Sequence, residues 1–297
     1  MVSSELPFAI RRLYFSSKQC TTPQSHMKTL LATILLLSLS AQLSVHAQSM
    51  SQSAADSLRK LIISAPDDTL KVRRLMELAN KLTKAKKYDS ALAVEHWAYL
   101  LAERLKDTIG LANTLYKKGQ REESQSNYGS AMEFYTVSLR FAKQQNMKQG
   151  AAMALYSIAV IYNKKNRYSE ALEHYFQSLK LYKELKNKWG LAVCLHEIGE
   201  VYNTHSKYPQ ALEYYLKSLK IYEELKSRTD IADLLNYIGN IYLIQKQYPE
   251  ALSYFLQSLK ISDELNNNFI KAESLIGIGS AYTSQNKNKG NWSGQFN

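Results

Sequence analysis

Hydrophobic positions recur at i, i+3, i+4 and i+7 along most of the chain, the spacing of one helical face. One stretch runs Leu195, Ile198, Gly199 and Tyr202. After the polar segment Asn203 to Lys207 the spacing resumes at Ala211, Tyr215, Ser218, Leu219 and Tyr222. The pattern predicts a helix, a short polar turn and a second helix. Pro209 and Pro249 suit the first turn of such a second helix, where a missing N–H costs no hydrogen bond.

This helix pair repeats every forty residues from 72 to 287 without a slip. Tyr88, Tyr128, Tyr168, Tyr208 and Tyr248 form one column, and Ala91, Ala131, Ala171, Ala211 and Ala251 follow three residues on. A second small column is Ala98, Ser138, Ser178, Ser218 and Ser258. Leu75, Leu115, Leu155, Leu195, Leu235 and Leu275 are followed by Ala79, Gly119, Ala159, Gly199, Gly239 and Gly279. Small residues in register let helix backbones approach, and the neighbouring tyrosine rings fill the space around them. The chain has 21 tyrosines, and all but Tyr14 fall in the repeats, so the register reads them as packing.

The run Leu195-x2-Ile198-Gly199-x2-Tyr202-x5-Tyr208-x2-Ala211-x3-Tyr215-x2-Ser218 resembles the tetratricopeptide repeat family. It recurs at Leu235, Ile238, Gly239, Tyr242, Tyr248, Ala251, Phe255 and Ser258. The family's period is 34 and its closing proline is absent here, so the likeness is to the forty-residue subclass. The six additional residues are read as lengthening the second helix and its exit, as in Lys183 to Lys188. The resemblance implies an all-α fold, a right-handed α-solenoid of stacked helix-turn-helix units with an inner and an outer face. The units are 72–111, 112–151, 152–191, 192–231 and 232–271, followed by an orphan helix over about 270–286. Glu95 departs from the pattern, standing where Tyr135, Tyr175, Tyr215 and Phe255 stand later.

The flanks read differently. Residues 27–47 combine Lys28, the apolar run Leu30 to Leu39 and small residues ending at Ala47, the layout of a cleaved secretory signal peptide. The apolar run is short for a bilayer span. Residues 1–26 show no periodicity and read as a non-native upstream extension, with Met27 as the start. Residues 48–71 carry an amphipathic helix over 53–64, with Ala55, Leu58, Leu61 and Ile62, which would cap the first repeat. Residues 288–297 break the register and read as an irregular tail. The orphan helix would then leave its apolar face open, and a truncated longer protein is expected.

The formal net charge is +12. Removing 1–47 takes Arg11, Arg12, Lys18, Lys28 and Glu5 with it and lowers the charge to +9. Arg140, Lys180, Lys220 and Lys260 form a basic column, and Glu184, Glu224 and Glu264, four residues on, are expected to pair with it. Nucleic-acid binding calls for uncompensated charge beside exposed aromatics, and here the aromatics are core; no nucleic acid partner is expected. Cys20 lies in the upstream extension, leaving Cys194 as a single packed thiol. His196-Glu197 opens like a helical zinc motif, but position 200 is Glu rather than His. No catalytic set, metal site or cofactor site emerges, and the chain reads as non-enzymatic.

What remains is binding. In the resembled family, ligand contacts come from the first helices, beside the packing columns. Carried onto this sequence, the groove is Tyr116, Tyr156, Asn163, His196, Glu200, Asn203, Asn236 and Asn240. An Asn amide both donates to and accepts from an extended peptide, and Asn236 and Asn240 lie one helical turn apart. The Lys and Arg of the family's carboxylate-clamp subtype are absent. The expectation is a module for protein or peptide ligands, exported to the periplasm or cell envelope. Leader, entry segment Ala65 to Thr69 and repeats together resemble the sensory half of two-component sensor kinases. The alternatives are a fragment of such a histidine kinase lacking its catalytic part, and a self-contained envelope scaffold. A membrane would be met only through a missing C-terminal segment or an uncleaved leader.

Overall fold

The computed structural model describes residues 66–85 and 87–293. The segments 1–26 and 27–47 and the capping helix expected at 53–64 lie outside the described residues. Among those described there are eleven helices: α1 (Thr69–Lys84), α2 (Tyr88–Leu105), α3 (Thr108–Ser124), α4 (Tyr128–Gln144), α5 (Lys148–Lys164), α6 (Tyr168–Glu184), α7 (Lys188–Thr204), α8 (Tyr208–Glu224), α9 (Arg228–Ile244), α10 (Tyr248–Glu264) and α11 (Asn268–Ser293). The class is all-α, a solenoid of helical hairpins. Two compact units divide it, one ending at Asn146 and one beginning at Met147.

The turns explain the even spacing. After α3, Ser126 takes the left-handed conformation (φ 62°). Its N–H donates to Glu123 O at 2.9 Å, and the Asn127 N–H donates to Glu122 O at 2.8 Å. These two bonds cap a helix C-terminus and reverse the chain. The same conformation recurs at Lys106, Asn146, Asn166, Lys186, Ser206, Lys226, Lys246 and Asn266, every twenty residues. Turns inside and between hairpins are therefore alike. From α3 to α10 every helix has 17 residues. The residues beyond the 34-residue period are thus shared between both helices, correcting the expectation that the second alone is longer: Glu184 ends α6 and Lys188 already begins α7.

In the first unit, Leu75, Ala79, Val94, Ala98 and Leu101 form the core of the α1–α2 hairpin. Glu95, in the aromatic column, is ion-paired with Arg121 of α3 instead of plugging the hairpin. Lys118 occupies the column of Ile158, Ile198 and Ile238; its Nζ lies 3.5 Å from the Tyr99 ring centroid. Burial pushes its pKa down to about 8, with the Arg121 charge acting the same way.

In the second unit, Tyr175, Tyr215 and Phe255 are buried plugs. A methyl placed on Gly199 would stand 2.5 Å from Tyr215 Cδ1, and one on Gly239 would stand 2.8 Å from Phe255 Cε1. Both positions are therefore small because a ring lies against the backbone. The serine column does more than stay small. Ser178, Ser218 and Ser258 each donate to the carbonyl of Ala152, Ala192 and Ala232, at 2.8, 2.8 and 2.7 Å.

Two expectations change. Glu184 and Glu224 pair with Lys148 (2.8 Å) and Lys188 (2.9 Å) across the hairpin, and Glu264 with Arg228. Lys180, Lys220 and Lys260 are exposed and lie beyond 4.0 Å, but each still helps hold the carboxyl four residues on below its usual range, behind the cross-hairpin cation. The N-terminus of each first helix lies beside the C-terminus of its partner, so the cross-hairpin cation reaches the carboxylate. The second change is at the C-terminal end. The register places a left-handed turn residue near 286, but α11 runs on to Ser293, so residues 288–293 are helical rather than irregular. With no second helix packed back on α11 among the described residues, no tertiary contact there offsets the cost of a left-handed residue.

Candidate ligand-binding face

Tyr116 lies in the first unit on α3. Its ring centroid is 5.3 Å from that of Tyr135, and Gln120 Nε2 donates to its hydroxyl at 3.4 Å. The other seven residues lie in the second unit, on the first helices α5, α7 and α9.

Side chains on successive first helices touch one another there. Tyr156 of α5 donates its hydroxyl to Glu197 Oε1 of α7 at 3.2 Å, while the buried Tyr175 donates to Oε2 at 3.1 Å. His196 lies between Tyr215 and Tyr237, with centroids 5.7 and 5.0 Å away. Glu200 accepts the Tyr215 hydroxyl at 2.5 Å and the Asn203 amide at 3.4 Å. Asp233 of α9 feels the charges of His196 and Asp230, and Glu273 of α11 feels that of Asp233. Burial holds the carboxyls of Asp233 and Glu273 above their usual range, and the Asp233 charge adds to the effect at Glu273. Burial also pushes the Tyr237 phenol up to about 12, helped by Asp233. Asn163 is half-buried near the end of α5, and Asn240 is exposed on α9.

Asn236 does not belong to this face. It shares a column with Tyr116, Tyr156 and His196, all half-buried, yet is 4% exposed. Its Oδ1 accepts from Ser274 Oγ at 2.9 Å, and its Nδ2 donates to Ile270 O at 3.5 Å. Both ends of the amide seat α11 against α9, so Asn236 and Asn240 do not form a ligand-reading pair.

Glu197, Tyr237 and Glu273 also lie on the candidate face; Glu197 was read only within an incomplete zinc-like motif, and Tyr237 and Glu273 were not singled out by sequence. For Glu197 and Tyr237 the available signal was a polar residue directly beside the buried column of Ile198 and Ile238. Glu197, Glu200, Asp233 and Glu273 form no ion pair with Lys or Arg within 4.0 Å among the described residues, whereas Glu184, Glu224 and Glu264 do. The face is aromatic, hydroxyl-bearing and acidic on a chain of formal charge +12.

Residues 150–224 and 230–289 match the tetratricopeptide repeat family. The repeats over those residues are tetratricopeptide repeats, a family whose members are generally non-enzymatic interaction scaffolds. No curated protein matches the sequence. Among solved structures, BtubC (BKLC) from P. vanneervenii is similar over 77% of this chain and 92% of its own, at 17% identity and a TM-score of 0.63. A signal transduction ATPase with numerous domains, carrying a tetratricopeptide repeat sensor, from Pyrococcus horikoshii, has a TM-score of 0.68 at 15% identity. The match covers 82% of this chain and 38% of that one. A Rap protein complexed with competence and sporulation factor has a TM-score of 0.59 at 14% identity, covering 93% and 79% of the two chains. At these identities the likeness is one of fold. No described helix is long and apolar enough to cross a membrane.

Proposed function

We propose that this protein is an exported module that captures a protein or peptide segment on the first-helix face of α5, α7, α9 and α11, and that it serves as the sensory part of a signal-transduction protein. The observation carrying the binding reading is the run of unneutralised carboxylates interleaved with Tyr156, His196 and Tyr237. Such a face suits an extended segment bearing Lys or Arg, whose charge meets Glu197, Glu200 and Asp233 and whose alkyl stem lies on the rings. A Rap protein of the same fold is complexed with competence and sporulation factor, which supports ligand capture by this architecture. The leader-like segment 27–47 supports export, and the repeat sensor of the Pyrococcus horikoshii ATPase supports a sensory role.

Two experiments test this. A library of extended peptides graded in charge is titrated into the protein; basic peptides should bind and the Glu197→Gln/Asp233→Asn variant should lose them. Equal binding of acidic peptides would remove the reading. A reporter enzyme active only outside the cytoplasm, fused after residue 70, should be active and should carry a new N-terminus following Ala47; an inactive fusion would refute export.

A further inference from the structure

The first unit places an amine where later repeats place core. Lys118 of α3 stands in the column of Ile158, Ile198 and Ile238, which are 0–3% exposed. Rings from both flanking second helices meet it: its Nζ is 3.5 Å from the Tyr99 ring centroid and 6.0 Å from that of Phe134. Tyr99 is buried with Leu115 and Val137 in a small core flanked by Phe134 and Phe141. Ring faces attract an ammonium ion, yet burial among them strips part of its hydration. Packing alone would be served by isoleucine, as it is in the next three repeats.

The nearby acids are engaged elsewhere. Glu95 is ion-paired with Arg121. Glu103 Oε1 lies 3.5 Å from the Tyr99 hydroxyl. Lys118 makes no hydrogen bond or ion pair among the described residues. Among the same residues no buried side-chain nitrogen lacks a partner, so the half-buried Lys118 amine keeps one side open to water. Arg121 is a second cation beside it, and His96 feels both charges. Burial and Arg121 favour the neutral amine, against the smaller opposing effect of Glu103 and Glu95. A desolvated lysine next to another cationic group is an activated nucleophile.

We propose that Lys118 is a covalent capture site for small aldehydes. The neutral amine adds through Nζ to the carbonyl carbon. The two protons of the amine leave with the carbonyl oxygen as water, and a carbon–nitrogen double bond remains. The step consumes no oxidant or reductant. The site lies in the first unit and does not rest on the peptide-capture reading.

The probe is pyridoxal, added to the full chain in less than equimolar amount, with the imine then fixed by borohydride and located by peptide mapping. With a pKa near 8, Lys118 holds about 200-fold more neutral amine at pH 7.5 than an ordinary lysine. Lower basicity also weakens the nucleophile, so the expected preference over the exposed Lys180 and Lys220 is about ten-fold or more. Labelling of Lys118 should level off above about pH 8, while that of Lys180 and Lys220 keeps rising towards pH 10. Lys118→Arg, which keeps the charge, should remove the preferred label and leave the others unchanged. Labelling of Lys118 no faster than Lys180 and Lys220 overturns the proposal. So does labelling that appears only after unfolding in urea, or that shows no inflection near pH 8.

Discussion

Gly199→Ala and Gly279→Ala are the same substitution in the same repeat column, and the structure predicts opposite signs for them. Alanine is favoured over glycine inside a helix by about 1 kcal/mol. At Gly279 nothing lies within 4 Å of the added methyl, so that gain should appear nearly whole. At Gly199 the methyl would stand 2.5 and 2.7 Å from Tyr215 Cδ1 and Cε1, and 3.3 Å from the backbone oxygen of Ala211. Tyr215 is fully buried, and its hydroxyl is held by Glu200 at 2.5 Å, so the ring cannot swing away without loosening that bond. Overpacking of this kind costs roughly 1–3 kcal/mol. Ala159 already occupies the column opposite Tyr175, which shows a second packing solution and points to the middle of that range. After the helix-propensity gain, Gly199→Ala should destabilise by about 1 kcal/mol. With a urea slope of about 2 kcal/mol per molar, the midpoint falls by about 0.5 M. Urea unfolding followed by far-ultraviolet circular dichroism reads the first variant, and hydrogen exchange along α11 reads the second. If Gly199→Ala raises the midpoint, the ring contact is not why glycine stands there.

Other outcomes follow from the same packing. Cys194 is fully buried and burial pushes its thiol up to about 12, so a disulfide reagent should label it only at the unfolding rate; prompt labelling of native protein would contradict its placement. Asn236→Ala should cost about 1–3 kcal/mol through lost buried hydrogen bonds, and speed hydrogen exchange in α11 while leaving peptide capture intact. Lys118 has a folded pKa near 8, below the ordinary lysine value, so the unfolded chain binds the extra proton between about pH 8 and 10. Stability should therefore rise with pH from about 8 to 9.5, below the tyrosine range, and Lys118→Ile should raise the pH 7 midpoint and flatten that rise. Lys226→Gly, at φ 55°, should stabilise by about 0.5–1 kcal/mol, the left-handed strain removed less the added chain entropy of glycine; a lower midpoint would refute this.

The hairpins were legible because their signal is redundant. A slip of one residue would misplace the alanine, glycine and tyrosine columns together, so the register admits one solution. The helix faces, the packing role of Tyr135, Tyr175 and Tyr215, and the burial of Cys194 all followed from it. The equal helix lengths did not, because Lys186, Ser206 and Lys226 are not residues that announce a left-handed turn. Their conformation comes from two backbone hydrogen bonds closed by packing, which the side-chain pattern does not record. The closer ion pairs were missed for a related reason: the weaker i,i+4 interaction along one helix is visible in sequence, whereas the nearness of Lys188 to Glu224 depends on the hairpin closing.

The candidate face was half legible. Tyr156, His196, Glu200 and Asn203 were recognised as neighbours of the packing columns, and they do line successive first helices. Asn236 has the same column and polarity, but α11 covers it and uses both ends of its amide. Glu197 was read only as part of an incomplete zinc-like motif, whereas two tyrosine hydroxyls, from α5 and α6, converge on it. The sequence by itself determined the period, the helical class and which residue types face inward, because each depends on spacing along one chain. Only the tertiary structure decided which polar side chains are spent on packing and which stay open, since that depends on what the next helix covers.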